Sequence, residues 1–371
     1  MHSEEFLISL GANETEVVEL MKYTENVYNH SAITGNIDYP MPDEPFVRAW
    51  EQYEAEAVKR GAFPTLKDRL MQFKFPIREG ISSTEPYRAA TRRGVTDGIT
   101  EEAGLVLEVP EGLELVLHQT PAGRIPLLIT RRRADFVTMV QALSRRNEPQ
   151  AVPDSMGAVI IAGYNNWDRI HTFRREWEKK NPENLTEESW QAEFQRLIPQ
   201  KELYQDKFII LSDGPYSAVP AESLGLSEEE WRRLSLIIRR EHECTHYFTR
   251  RLFSAMRNNL LDELIADYMG IVSAVGSFRA DWFLRFVGLE HYPQYRTGAR
   301  LENYRGDPPL SDGAFKILWT LVKLAAERLE AYDSRVAGES RTPEQQVQTL
   351  VGLSRLTLIE IASGKAEVLS I

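Results

Sequence analysis

His242-Glu243-Cys244-Thr245-His246 lies inside the longest amphipathic segment of the chain. Imidazoles four residues apart stand one above the other on a helix, so His242 and His246 can reach a single metal ion, and Glu243 projects beside the coordination position left open. The segment carries its own start signal, with Leu226 as an apolar staple, Ser227 as cap and Glu230 three residues later. Trp231, Leu234, Ile237 and Ile238 precede the histidines, and Phe248, Leu252 and Phe253 follow them. This pattern predicts one long helix over residues 228–256 with a buried face. Burying two imidazoles there without partners is costly, and a bound metal removes the cost. Cys244, two residues after His242, falls on the opposite side of such a helix and reads as core.

Working outward, Asp262-Glu263-Leu264-Ile265-Ala266-Asp267 sits in an apolar segment expected to be helical over residues 260–275 and able to pack antiparallel to the first. His-Glu-x-x-His followed by Glu-x-x-x-Asp on the next helix resembles the gluzincin zinc peptidases. The run Asn259-Leu260-Leu261-Asp262-Glu263-Leu264-Ile265-Ala266-Asp267-Tyr268-Met269-Gly270 is similar to the thermolysin-like segment that holds the third ligand. The resemblance implies zinc bound by His242, His246 and Glu263, with Glu243 as the base and Asp267 accepting the second N–H of a ligand histidine. Asp262 is the rival third ligand, but its spacing to Asp267 is five rather than four, which favours Glu263. The likeness extends only from the motif helix to Gly270, and sixteen residues separate His246 from Glu263.

The implied chemistry is metal-assisted hydrolysis. Zinc brings the pKa of a water toward neutrality, Glu243 takes the proton as the water attacks a carbonyl, and Glu243 returns a proton to the leaving amine. A donor for the oxyanion is also needed. Candidates crowd the stretch 291–305 between two expected helices, where His291, Tyr295 and Tyr304 stand with Tyr292, Arg296 and Arg300. His30, His118 and His171 stand alone and read as surface or hydrogen-bonded residues.

Elsewhere, residues 13–29, 45–60, 65–73, 84–93 and 134–144 read as helices, the first capped by Asn13. Leu105–Val109, Leu113–His118 and Ile125–Thr130 read as strands, the last two joined in a hairpin around Pro121-Ala122-Gly123. Asn147–Pro153, polar with two prolines, marks a division between an N-terminal region of residues 1–150 and a metallohydrolase domain of residues 151–371. Beyond it, Gly157–Gly163 and Phe208–Ser212 read as strands, the second as a core strand first, with a substrate-pairing edge of the kind gluzincins often have there as the alternative. Helices are expected at 166–180, 187–197, 278–288, 312–333 and 343–362, the last opened by Thr342, Pro343 and Gln345. The fold class expected is α+β, a mixed N-terminal region with a small sheet and a mostly helical C-terminal half carrying a zincin-like helix pair.

With 371 residues, 42% of them hydrophobic, the chain can bury a sizeable core. A formal charge of −11 argues against binding a nucleic-acid backbone. Glu4 and Glu5 ahead of a short apolar stretch are the wrong charge order for a secretory signal, and no apolar run has the length of a membrane span. One cysteine excludes an internal disulfide and fits a reducing compartment. The expected protein is a cytoplasmic zinc metallopeptidase of narrow specificity acting on a peptide or protein substrate, without nucleic-acid or membrane partners. The alternative is a non-peptidase zinc-binding regulatory or interaction protein on a gluzincin-like scaffold.

Overall fold

The side chains of Asn13, Asn166, Thr186, Ser227, Thr342 and Thr357 each cap the start of a helix. In the computed structural model, which describes residues 3–32, 38–96, 99, 104–183, 185–256, 259–336 and 342–365, helix α1 (Ser3–Ser9) leads into α2 (Glu14–Tyr23). Asn13 accepts from the Glu16 amide while the Glu16 side chain reaches back to the Asn13 amide. Helix α2 ends at Tyr23, short of the Asn29 expected.

The chain divides into two units, one of residues Met1–Met41 and Pro215–Ile371 and one of Pro42–Gly214. A boundary near residue 150 therefore falls inside the second unit, and the hydrogen bonding explains why. That unit contains α3 (Val47–Arg60), α4 (Ala62–Arg69), α5 (Glu85–Arg93), β1 (Glu114–Thr120), β2 (Gly123–Thr130), α6 (Arg133–Ser144), β3 (Ala158–Asn165), α7 (Trp167–Lys180), α8 (Glu187–Leu197) and β4 (Gln205–Ser212). Its sheet has the order β1-β2-β4-β3. Strands β1 and β2 form the expected hairpin, Thr120 pairing with Gly123 across Pro121-Ala122, but β2 then pairs in parallel with β4. A cut near 150 would sever that ladder.

Strand β4 is flanked on both sides, by β2 in parallel and by β3 antiparallel, so it is a central core strand and cannot serve as a substrate-pairing edge. The run Leu105–Val109 is not a strand. Leu105 and Leu107 are buried while Val106 is 76% exposed, yet the amides of Glu108 and Val109 go to the Asp135 carboxylate at the start of α6 instead of a neighbouring strand. Leu128, Phe136, Phe208 and Ile210 form the centre of this unit's core, with Trp50 of α3 beside them.

The first unit resumes with α9 (Glu228–Phe253), α10 (Asn259–Val275), α11 (Ala280–Val287), α12 (Asp312–Val336), α13 (Pro343–Ser354) and α14 (Leu358–Ala362). Ser227 caps α9 by accepting from the Glu230 amide. The helix expected over 343–362 is two, because Thr357 opens a second capping box with Glu360. The molecule is thus α+β with a helical C-terminal half. Among the described residues no helix is long and apolar enough to cross a membrane.

Candidate metal centre

Helices α9 and α10 run antiparallel, as their partners show: Gly270 abuts Ile238, Asp267 meets His242, Glu263 lies between His242 and His246, and Asp262 adjoins His246. Three residues of α9 and four of α10 carry the register past one turn, so the i, i+4 spacing on both sequences becomes one facing cluster.

Within it the Nε2 atoms of His242 and His246 stand 3.0 Å apart. Glu263 Oε2 lies 3.6 Å from the first and Oε1 3.5 Å from the second. The ligand atoms of these three residues all fall within 4.8 Å of one another. The opposite nitrogen of each ring faces a carboxylate, hydrogen-bonded for His242 and in ion-pair contact for His246. His242 Nδ1 is 2.8 Å from Asp267 Oδ1 and His246 Nδ1 is 3.1 Å from Asp262 Oδ2. With Nδ1 turned to a carboxylate, a neutral imidazole presents its Nε2 lone pair to the point shared with the other ring and Glu263. Three electron-pair donors meeting at one buried point repel unless a proton or a metal cation sits among them.

The donor set fits zinc, which takes imidazole nitrogen and carboxylate oxygen at about 2.0–2.2 Å. Charge fits as well. With both imidazoles neutral, Glu243, Asp262, Glu263 and Asp267 outnumber the guanidinium groups of Arg239 and Arg300, a negative excess that a divalent cation offsets. Glu263 is buried, which raises its pKa, but the hydrogen bond from His246 and the charges of His242 and Arg300 hold it well below the carboxylate range. Burial raises Asp267 too, and Arg300 and His242 bring it below its usual value.

Glu243 is partly exposed. Desolvation raises its pKa, opposed by His242 and His246, so this carboxyl sits close enough to the cluster to feel both rings. Cys244 is buried, and burial pushes its thiol up.

Of the three expected donors in the 291–305 stretch, Tyr304 reaches the cluster. Its hydroxyl hydrogen-bonds Glu263, and burial followed by the Glu263 charge pushes its pKa up. Tyr295 does not. Its ring stacks on Trp319 at 5.1 Å and its hydroxyl donates to the Ala299 carbonyl at 2.9 Å, because α12 offers an aromatic surface. His291 is exposed, in a tight turn where its carbonyl accepts from the Gln294 amide.

Three residues at the centre carry no local signature. Tyr216 donates to Asp267 Oδ1 at 2.5 Å and lies 3.0 Å from His242 Nδ1. Arg300 pairs with Asp267 Oδ2 and donates to the Tyr216 hydroxyl at 3.0 Å. Tyr28 donates to Asp262 Oδ1. Arg300 was visible as part of the donor-rich stretch, and Tyr216 follows Gly214-Pro215, but nothing in the spacing points either at a histidine.

Comparison with protein families matches residues 5–365 to the model of a family of unknown function, DUF7005. No curated protein and no solved structure matches the chain.

Proposed function

We propose that this chain, which belongs to the DUF7005 family, is a zinc-dependent hydrolase, specifically a metallopeptidase of narrow specificity. The observation that carries the reading is the convergence of His242 Nε2, His246 Nε2 and Glu263 on one point with Glu243 next to it. Bound there by those three residues, zinc supplies Lewis acidity, acidifying a water and polarising a carbonyl. Glu243 accepts the proton of the attacking water and delivers it to the leaving amine. Its raised pKa suits a group that must act as base and then as acid. Tyr304, whose hydroxyl donates to Glu263, is the donor assigned to the developing oxyanion once Glu263 turns its oxygens to the metal and releases that proton.

A site that only held structure would have no use for a carboxylic acid beside the open position, which favours hydrolysis over a structural zinc. Choice of a peptide bond rests on the resemblance of α9 and α10 to the gluzincin helix pair. Narrow specificity is supported by coverage: His242 and His246 are each 6% exposed and the Glu263 side chain 12%, so a substrate must fit a restricted approach. The single cysteine makes a reducing, cytoplasmic setting part of the same proposal.

Metal analysis of the purified protein against His246→Ala tests the site. Roughly one zinc per chain should be lost in the variant, and equal zinc in both sinks the assignment. Glu243→Gln should keep its zinc and lose turnover. Comparing peptides released from a proteome by wild type and by Glu243→Gln then decides the reaction, since an identical peptide set favours a non-peptidase zinc protein.

A further inference from the structure

Each carboxylate that steadies a ligand histidine is itself held by a donor from a distant part of the chain. Asp262 Oδ1 is taken by the Tyr28 hydroxyl, 234 residues earlier, leaving Oδ2 beside His246 Nδ1. Asp267 Oδ1 receives His242 and Tyr216, while Oδ2 receives Arg300. We infer that Tyr28 and Arg300 are positioning residues of the metal centre, each fixing the orientation of one ligand imidazole through a carboxylate. The inference rests on the zinc reading above.

An imidazole presents Nε2 to a metal in a defined direction only when Nδ1 is pinned, and a carboxylate pins it only when its own rotation is locked. Asp262 and Asp267 are 1% and 0% exposed, so water does not compete for their oxygens, and the protein's own donors set their angle. On the His242 side the lock is charged and forked. The Arg300 guanidinium spans Asp267, Tyr216 and Ser217, a geometry that lysine cannot reproduce. Arg300 also opens the single turn Arg300–Tyr304, whose far end places Tyr304 on Glu263. One short turn therefore touches the support of one ligand and the third ligand itself.

On the His246 side the lock is neutral. Tyr28 packs against Phe253 at the end of α9, ring centroids 5.3 Å apart, so its hydroxyl is anchored to the helix that carries the histidine. Residues before Met41 thus belong to the metal unit and complete the surroundings of a ligand.

The test uses the full chain. Zinc affinity is measured by competition with a chromophoric chelator, and coordination by the visible absorption of the cobalt-substituted protein, for wild type, Tyr28→Phe, Arg300→Lys, the double variant, and Tyr204→Phe as a control that loses a tyrosine hydroxyl bound to the Ile198 carbonyl in the second unit. Tyr28→Phe and Arg300→Lys should each weaken zinc by roughly 10-fold to 100-fold and change the cobalt spectrum, with their effects multiplying in the double variant. Tyr204→Phe should match wild type. If both variants melt earlier but bind zinc within twofold of wild type with an unchanged cobalt spectrum, Tyr28 and Arg300 are core anchors only and the inference is overturned. Wild type that binds no zinc sinks the zinc reading itself, before any variant is compared.

Discussion

Gly270 and Ile238 meet at a distance that leaves no room for a side chain: a Cβ built on Gly270 would lie 2.7 Å from the Ile238 carbonyl oxygen and 3.1 Å from its Cγ2. The nearest obstacle is backbone, which cannot swing aside. This contact lies one turn beyond the Asp267–His242 pair on both helices and sets how closely α10 approaches α9.

Gly270→Ala should therefore destabilise the protein even though alanine is the better helix former by about 1 kcal/mol. Forcing the helices apart costs about 1–3 kcal/mol and should weaken zinc at the same time. Thermal denaturation with and without zinc measures both, and a variant that melts higher than wild type with full zinc affinity would contradict the close approach.

The proposed third ligand, Glu263, can be separated from its rival Asp262 by substitution. Glu263→Ala should abolish zinc binding, whereas Asp262→Asn should retain zinc with affinity reduced roughly tenfold or more, because Asp262 faces Nδ1 of His246 and not the metal side of the ring. Chelator competition on the two variants gives the answer. The opposite order would make Asp262 the ligand.

Stability and positioning can be pulled apart at Asp267. Asp267→Asn leaves the Arg300 guanidinium without its buried counter-charge, a loss of about 3–5 kcal/mol by analogy with broken buried pairs. Replacing Arg300 by Met as well removes the stranded charge, so the double variant should regain much of the stability. Zinc affinity should stay low in both, since the His242 imidazole has lost its carboxylate. Urea denaturation alongside zinc competition measures the two quantities, and recovery of both together would mean that the pair serves folding alone.

What could be seen in the sequence was whatever repeats along one helix. His242 and His246, and likewise Glu263 and Asp267, are four residues apart, so periodicity alone put each pair on a face. Asp262 was discounted because its spacing to Asp267 is five; yet lying about 100° around α10 from Glu263 aims it at His246. Tyr28 and Arg300 reach the cluster across 234 and 33 residues, and contacts of that kind have no period to read. The same limit explains the sheet. Hairpin β1–β2 is local and was legible, whereas the parallel pairing of β2 with β4 joins residues 127–130 to 209–212 across a boundary that polar composition had suggested near 150. Leu105–Val109 alternates like a strand, but its amides are claimed by Asp135, a local side-chain competition that hydropathy does not register.

The second unit has its own buried charge, and it carries a pH dependence whose sign can be fixed. Asp206 is 0% exposed and accepts from Trp50 Nε1 at 2.8 Å, Asn166 Nδ2 at 2.6 Å and the Arg169 guanidinium. Burial outweighs these donors and pushes its carboxyl from 3.8 up to about 6. Between those values the folded protein holds a proton that the unfolded chain has released. The contribution of Asp206 to stability is therefore fully present below pH 3.8 and is lost as pH rises through about 6. The loss is on the order of 3 kcal/mol. Asp206→Asn cannot titrate, so subtracting its stability from that of wild type isolates this group from every other carboxylate. Hydrogen exchange of the β4 amides, followed from pH 4 to 7, should show the wild-type advantage shrinking as pH rises. An advantage that instead grew with pH would mean that Arg169 holds Asp206 ionised and that the pair, not the burial, governs this carboxylate.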